Sequence, residues 1–187
     1  MNKKIPLSGI VIPLWYFFSS IVFLLFSYDI YTFTFNVIVI WEILLSMKKI
    51  LVLCTGNSCR SQMAHGFLTS ITNEDYIIYS AGTHPEPVNK YAVEVMFEKG
   101  IDISNYSSNH IDEYVNNDIY IVLTVCDNAM DRCPIFSKAT TFIHKSFKDP
   151  AEASGSYDQV INVYRDVRDK LERYINDEFL EIISSNK

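Results

Sequence analysis

The hydrophobic and polar positions divide the chain near residue 46. Before that point no charged side chain occurs from Ile5 to Tyr28, and a shorter apolar run covers residues 37–45. After it, short apolar runs alternate with segments in which apolar residues recur every three or four positions. Such alternation is typical of an α/β domain. We therefore expect an apolar extension over residues 1–46 and a folded domain over residues 47–187.

The periodicity within the domain predicts strands that alternate with helices. Strands are predicted over residues 50–53, 76–80, 119–125 and 140–144, the third as a central parallel strand because it is apolar and β-branched throughout. Helices are predicted over residues 61–71, 88–98 and 157–179. The first helix is expected to bury Met63, Ala64, Phe67, Leu68 and Ile71, and the last Val160, Val163, Tyr164, Val167, Leu171, Tyr174 and Ile175. The polar segment 105–117 is expected to be irregular, with at most one helical turn.

The apolar extension is long enough to reach across a bilayer. Residues Ile10–Ser27 would span it, and lysines at Lys3–Lys4 and Lys48–Lys49 flank the two apolar runs. The positive-inside rule then favours a two-pass membrane hairpin with Asp29 outside, which returns the domain to the cytosol.

A different interpretation leaves the extension out of the working protein. Met47 is followed by two lysines and resembles the start of a soluble enzyme, and the second apolar run is short and is broken by Glu42. No small-residue cleavage site precedes Met47, which argues against a signal peptide. The sequence leaves the hairpin and the mis-assigned start both open.

Charge and cysteine usage narrow the function of the domain. The chain has 16 basic and 22 acidic side chains, two of each in residues 1–46, so the net charge of −6 belongs to residues 47–187 and gives no indication of nucleic-acid binding. All four cysteines lie in the domain, and none has the Cys-x2-Cys spacing of a zinc site. A domain of this size does not need disulfides, so we expect no metal, reduced thiols and a cytosolic location.

One segment carries the chemistry. It follows the first predicted strand, precedes the first predicted helix, and consists of Cys54, Thr55, Gly56, Asn57, Ser58, Cys59, Arg60 and Ser61. Because small or polar residues let the backbone curl, the N–H groups of residues 55–60 are expected to converge on one point, where Arg60 adds a planar cation. The segment therefore predicts a binding loop for a tetrahedral oxyanion, with Cys54 as the nucleophile.

The same loop sets the expected state of the Cys54 thiol. A position above a helix N-terminus and beside Arg60 is expected to lower its pKa. Ser61 is expected to donate a hydrogen bond to the thiolate, Gly56 to supply a positive φ, and Asn57 to brace the loop. Cys59, the second cysteine of the loop, is interpreted as structural.

The leaving oxygen needs a proton donor. Asp149, which precedes Pro150 in the loop after the fourth predicted strand, is the best candidate. An Asp-Pro pair alone would indicate an ordinary turn, but its combination with the oxyanion loop favours a general acid.

Two further thiols follow the third predicted strand. Cys126 ends this strand, and Cys133 comes seven positions later. Because neighbouring parallel strands end on the same side of a sheet, Cys126 could lie near Cys54. This arrangement would permit a relay of thiol–disulfide exchanges from Cys54 to Cys126 to Cys133. The spacing permits equally that Cys126 is a small core residue and Cys133 an idle surface thiol.

Five separated segments, residues 54–64, 80–83, 100–104, 126–134 and 147–151, together carry a family resemblance. Their residues resemble those of the thioredoxin-coupled arsenate reductases, which share the fold and the loop of the low-molecular-weight protein tyrosine phosphatases. The resemblance covers about residues 47–175.

The resemblance implies a fold and a reaction. The fold is an α/β architecture with a four-stranded parallel sheet flanked by helices. In the reaction, Cys54 attacks arsenate while Asp149 protonates the departing oxygen, and Cys126 then attacks Cys54 and releases arsenite. Cys133 then resolves the Cys54–Cys126 bond, which leaves a Cys126–Cys133 disulfide that thioredoxin reduces. The resemblance implies no tightly bound cofactor, a role in arsenic detoxification, and competition from phosphate or sulfate.

Two positions depart from the pattern of these reductases. His65 stands where Glu is usual, and Asn109 where Asp is frequent; both belong to a potassium site in some members. Loss of two carboxylates argues against a potassium site here.

Two other functions fit parts of the sequence. A protein tyrosine phosphatase would use Cys54, Arg60 and Asp149 without the relay, although these phosphatases typically carry an aromatic residue where Ala151 follows Asp149-Pro150. A non-catalytic oxyanion-binding domain held at a membrane by residues 1–46 would need neither the additional thiols nor the acid.

Overall fold

The protein is described by a computed structural model that covers residues 35–37, 47–72, 76–130, 136 and 139–185. By its contacts the chain divides into two units, Met1–Ser46 and Met47–Lys187. Within the first unit, residues 35–37 form a helical turn with exposed side chains, and the predicted hairpin otherwise lies outside the described residues. Among the described residues, no helix has both the length and the apolar character needed to cross a bilayer.

The described part of the second unit contains one parallel sheet of four strands, as expected from the sequence. The strands are β1 (Lys48–Cys54), β2 (Tyr76–Gly82), β3 (Ile121–Thr124) and β4 (Thr141–His144), in the order β2-β1-β3-β4. The central strand β1 pairs Leu53 with Ala81 on one side and with Thr124 on the other. The carboxyl ends of all four strands therefore meet at one edge, where the predicted chemistry is found.

The helices flank this sheet. They are α1 (Arg60–Ile71), α2 (Lys90–Phe97), α3 (Asp127–Met130), α4 (Tyr157–Tyr174) and α5 (Leu180–Ser185). Two 3-10 turns, Ile111–Tyr114 and Pro150–Glu152, lie in the connections. The segment 105–117 thus has the single helical turn that its polar sequence indicated.

The last predicted helix differs from the structure at its C-terminal end. The α-helix stops at Tyr174 and continues as a π-helix over Ile175–Phe179. Buried apolar residues at this end recur every four positions, at Leu171, Ile175, Phe179 and Ile183. A strict four-residue repeat drifts around an α-helix of 3.6 residues per turn, and a wider π turn cancels that drift.

The core lies between the sheet and the helices, and the predicted faces are mostly correct. Helix α1 buries the expected residues except Ile71, which is exposed at the helix end. Helix α4 buries Ile161 and Arg168, which the pattern had not indicated, whereas Val163 is half-buried. Arg168 is tolerated in the core because its guanidinium donates to the Val95 carbonyl at 2.9 Å and to carboxylates at the edge of the core.

Candidate active site

Cys54 lies at the end of β1, and its sulfur is surrounded by donors from the loop that follows. The backbone N–H of Asn57 donates to Cys54 Sγ at 3.1 Å, and Ser61 Oγ lies 2.9 Å from the same sulfur. Because the Asn57 side chain donates to Ser61 Oγ at 2.9 Å, the Ser61 hydroxyl hydrogen is free to point at the sulfur. The contact between Ser61 and Cys54 that the sequence indicated is present.

Asn57 gives the loop its shape. It has φ of 46°, the left-handed region that the sequence analysis assigned to Gly56, and that assignment was wrong. Asparagine tolerates this conformation, and here its side-chain oxygen accepts from the Asn109 N–H at 2.9 Å. Its carbonyl accepts from Gln62 Nε2 at 2.8 Å and Ser108 Oγ at 2.7 Å. The bracing role expected of Asn57 is therefore present.

A second segment holds the loop from outside. Three backbone N–H groups of the connection after β2 donate to loop carbonyls at 2.8–3.0 Å, from His84 to Thr55, from Glu86 to Gly56 and from Asn89 to Ser58. Carbonyls that face outward leave the N–H groups of the same peptides free to converge inside. Helix α1 begins immediately after the loop, so its N-terminal dipole also favours a bound anion.

Arg60 connects the loop to the candidate acid. One terminal nitrogen donates to the Phe147 carbonyl at 3.0 Å, and the other pairs with the Asp149 carboxylate. Its Nε is buried and has no hydrogen-bond partner among the described residues. That donor remains available to an oxyanion, as the predicted role of Arg60 requires.

Asp149 is held at the start of a 3-10 turn. Its carboxylate accepts from the Ala151 N–H at 3.0 Å in addition to pairing with Arg60, and the side chain is 31% exposed. The structure therefore brings the acid beside the oxyanion loop and leaves it accessible to solvent.

The protonation state of Cys54 differs from the sequence expectation. Burial raises the pKa of the Cys54 thiol, and the hydrogen bonds from Ser61 and the charge of Arg60 only partly offset this. The expected lowering of the pKa was wrong, because the residue is 3% exposed and the cost of dehydrating a thiolate exceeds the gain from its donors.

Cys126 lies next to the oxyanion loop. Its sulfur is 3.4 Å from Thr55 Oγ1, and the residue is 3% exposed. Cys126 therefore lies beside the loop that begins with Cys54, as the predicted parallel sheet indicated. Cys133 lies outside the described residues, so its part in a relay stays a prediction.

Cys59 is buried between the oxyanion loop and α4. Its sulfur is 3.7 Å from both Ser58 Oγ and Tyr164 Oη. Burial raises the pKa of Cys59 to about 11, although both hydroxyls lower it. Its sulfur faces the hydroxyls of Ser58 and of the buried Tyr164 of α4, which fits a structural role.

Several residues that hold the site were missed by the sequence analysis. Gln62 donates to Asn57 and also to the Ser107 carbonyl at 3.0 Å, and the Phe147 carbonyl orients Arg60. Ser108 caps the Asn57 carbonyl from a polar segment that has no recognisable motif. Their partners are 45 or more positions away in the chain, except for Gln62 and Asn57, so local patterns carry no signal for them.

Residues 49–186 match the family described as low molecular weight phosphotyrosine protein phosphatase. The chain belongs to this family, whose match includes the sheet, the oxyanion loop and Asp149.

Within this family, the chain is similar to proteins named arsenate reductase. The arsenate reductase of Oceanobacillus iheyensis is 42% identical over 127 residues, which cover 68% of this chain and 91% of the relative. The arsenate reductase of Bacillus subtilis is 41% identical over 124 residues, which cover 66% and 89%.

Solved structures give the same grouping. An arsenate reductase in its phosphate-binding state is 29% identical with a TM-score of 0.62, over 73% of this chain and 99% of that one. The YwlE arginine phosphatase from Geobacillus stearothermophilus is 27% identical with a TM-score of 0.61, over 74% and 94%. The resemblance to arsenate reductases of this superfamily and the enzyme class it implied are confirmed.

Proposed function

We propose that this chain reduces arsenate to arsenite, with Cys54 as the nucleophile and Cys126 as the second thiol. The observation that carries the proposal is the distance of 3.4 Å between Cys126 Sγ and Thr55 Oγ1 in the oxyanion loop. Phosphate-ester hydrolysis needs no thiol there, whereas a two-electron reduction needs one within reach of Cys54. The relatives that are named arsenate reductases support the same function.

The first step forms a bond between Cys54 and arsenic. The N–H groups of residues 55–60 and the Arg60 guanidinium hold three oxygens of arsenate. Cys54 starts as a buried thiol, so its proton must reach the departing oxygen, which then leaves as water. Asp149, at the rim of the loop, passes that proton to the departing oxygen.

The next two steps move the electrons. Cys126 attacks the Cys54 sulfur, the sulfur–arsenic bond breaks, and its electron pair stays on arsenic, which leaves as arsenite. Cys133 then attacks the Cys126 sulfur and frees Cys54. Two thiols lose two electrons and arsenic gains two, and the resulting Cys126–Cys133 disulfide is a substrate for the dithiol of thioredoxin.

We propose no tightly bound cofactor and no potassium ion for this reaction. His65 Nδ1 lies 3.1 Å from Ser80 Oγ, and burial lowers the pKa of His65 to about 4, so position 65 supplies a neutral ring. Asn109 accepts from Ser107 and donates to Glu113, each at 3.0 Å. A monovalent cation would therefore find no free carboxylate at either position.

The experiment is one turnover with arsenate in the absence of reductant, followed by mass spectrometry of the cysteine peptides. A Cys126–Cys133 disulfide is expected, with Cys54 and Cys59 as free thiols. Cys126→Ser should abolish arsenite release but keep aryl-phosphate cleavage, which needs Cys54, Arg60 and Asp149 alone. Cys59→Ser is the matched control and should retain turnover. Three free thiols at positions 54, 126 and 133 after mixing with arsenate would contradict the proposal.

A second candidate, phosphatase activity, is favoured by one observation. Cys54, Arg60 and Asp149 are together, and a phosphatase of this fold is among the structural neighbours. The catalytic efficiencies for arsenate and for aryl phosphate, measured on the same preparation, separate the two. Phosphate-ester hydrolysis would be the main activity if the catalytic efficiency were higher with the ester and if Cys126→Ser left arsenate turnover unchanged.

A further inference from the structure

Cys126 is bracketed by two residues that are both tied to neighbouring elements. On one side the Val125 N–H donates to the Leu53 carbonyl at 2.9 Å, and the Val125 carbonyl accepts from the Phe147 N–H at 3.2 Å. These bonds extend the pairing of β1, β3 and β4 past the ends of the strands. The backbone immediately before Cys126 is therefore fixed by the sheet.

Asp127, the residue after Cys126, is held by side chains. Asp127 Oδ1 lies 3.2 Å from His144 Nε2, and Asp127 Oδ2 accepts from Ser146 Oγ at 2.9 Å. Both partners come from the end of β4 and the connection that leads to Asp149. The carboxylate next to Cys126 is therefore tied to the segment that carries the acid.

The imidazole of His144 is itself oriented. Its Nδ1 lies 2.7 Å from the hydroxyl of Thr124, a buried residue of β3 whose hydroxyl is 3.4 Å from the Ile143 carbonyl. When the hydroxyl donates to Nδ1, Nε2 carries the hydrogen and donates to Asp127; when the ring is charged, both nitrogens donate. In both of these forms His144 donates a hydrogen bond to Asp127.

This cluster contributes little to folding. Asp127 is 79% exposed, and exposed ion pairs have small effects on stability. Helix α3, which Asp127 begins, has four residues and is too short to be stable by itself. Two side chains are thus directed at one exposed carboxylate in a short helix, directly after the thiol.

We propose that His144 and Ser146 are positioning residues which act through Asp127 to hold the Cys126 thiol against the oxyanion loop. The inference rests on the proposed relay and deepens it. Cys126 must meet Cys54 before any other thiol, so its backbone has to be held at the oxyanion loop for that step. The Asp127 carboxylate, held by His144 and Ser146, fixes the chain directly after the thiol.

The test compares Asp127→Ala with the unaltered protein in two assays. In a single turnover with arsenate, quenched by alkylation and followed by mass spectrometry, the variant should form the Cys126–Cys133 disulfide about two- to fivefold more slowly, the loss expected when the contacts of an exposed carboxylate are removed. Cleavage of p-nitrophenyl phosphate, which does not use Cys126, should be unchanged. The matched control is Asp166→Ala, which removes an exposed carboxylate paired with Lys170 on α4 and should change neither rate.

A double-variant cycle separates positioning from general destabilisation. His144→Ala should slow disulfide formation by a smaller factor than Asp127→Ala, because Ser146 still holds the carboxylate. Adding His144→Ala to Asp127→Ala should cause little further loss, because His144 acts through Asp127. Equal rates of disulfide formation in the unaltered protein and in Asp127→Ala, or fully additive losses, would overturn this inference alone. Absence of the disulfide in the unaltered protein would overturn the proposed function and this inference together.

Discussion

At the scale of single residues, the hydroxyl of Ser61 controls the reactivity of Cys54. Ser61 is the largest of the influences that lower the pKa of the buried thiol. Ser61→Ala should therefore raise that pKa further and move the alkylation of Cys54 by iodoacetamide to higher pH, with a slower rate at neutral pH. Rates measured from pH 6 to pH 10 on a protein in which Cys126 is replaced by serine would show the shift. A profile that stays in place or moves to lower pH would contradict this role.

The oxyanion loop packs so closely against Gly82 that no larger residue fits at this position. A Cβ there would lie 2.5 Å from the Thr55 carbonyl oxygen and 2.8 Å from the Asn57 nitrogen, both rigid backbone atoms. Gly82→Ala should displace the loop, abolish most turnover, and cost about 1–3 kcal/mol of unfolding free energy. Gly100→Ala, whose φ is 77° but whose Cβ would meet nothing within 4 Å, should cost about 1 kcal/mol and keep turnover. Urea unfolding and steady-state assays on both variants check this, and an active Gly82→Ala enzyme would contradict it.

The residues of the site that could be predicted are those whose chemistry is local. Cys54, Arg60 and Ser61 are close in the chain, so their types and spacing fix the loop before any fold is known. The pKa of Cys54 could not be predicted, since burial depends on the packing of distant elements. The same holds for Gln62, whose partner Ser107 is 45 positions away.

At the scale of elements, a charge cluster joins α2 to α4. Glu98 follows α2 and accepts from Arg165 and Arg168 of α4, and these hydrogen bonds lower the pKa of Glu98 to about 2. A lowered carboxyl pKa stabilises the folded state above the ordinary value of 4.5, and this stabilisation is lost as the pH falls toward 2. The free energy of unfolding should therefore decrease between these limits.

Glu98→Gln tests the contribution of this cluster. The variant should be less stable than the unaltered protein at pH 7, and the difference should shrink as the pH falls below about 4.5. Urea unfolding at a series of pH values measures it. Glu181→Gln, an exposed carboxylate of α5 outside the cluster, serves as the control. A difference that grows on acidification would contradict a stabilising role of the Glu98 carboxylate.

The elements themselves were largely predictable, and their ends were not. Alternation of apolar runs with helical periodicity indicated all four strands, but β2 extends two residues further, to Gly82, because it keeps pairing with β1 up to Cys54. The change to a π-helix at Ile175 was not predicted because it follows from the packing of Phe179 and Ile183 in the core. The ends of strands and helices thus depend on pairing and core contacts with distant residues, which the local sequence pattern does not show.

At the scale of the whole molecule, residues 47–185 have their own sheet and core. A chain that begins at Met47 should therefore fold by itself and retain its arsenate turnover. Cell fractionation of the full chain and of the chain that begins at Met47 tests the predicted membrane attachment of residues 1–46. If both were found equally in the soluble fraction, the prediction of membrane attachment would be wrong. We propose a cytoplasmic location for the catalytic domain in both cases, because its thiols must stay reduced.

The direction of β1 has a consequence for anything joined ahead of the domain. Lys48 and Cys54 are the two ends of one extended strand of seven residues, so they stand about 20 Å apart on opposite rims of the sheet. A fluorophore, an affinity handle or a surface linked through the backbone before Met47 would thus enter at the rim remote from the anion pocket. Immobilised in this way, the enzyme would keep its reactive rim open to the medium.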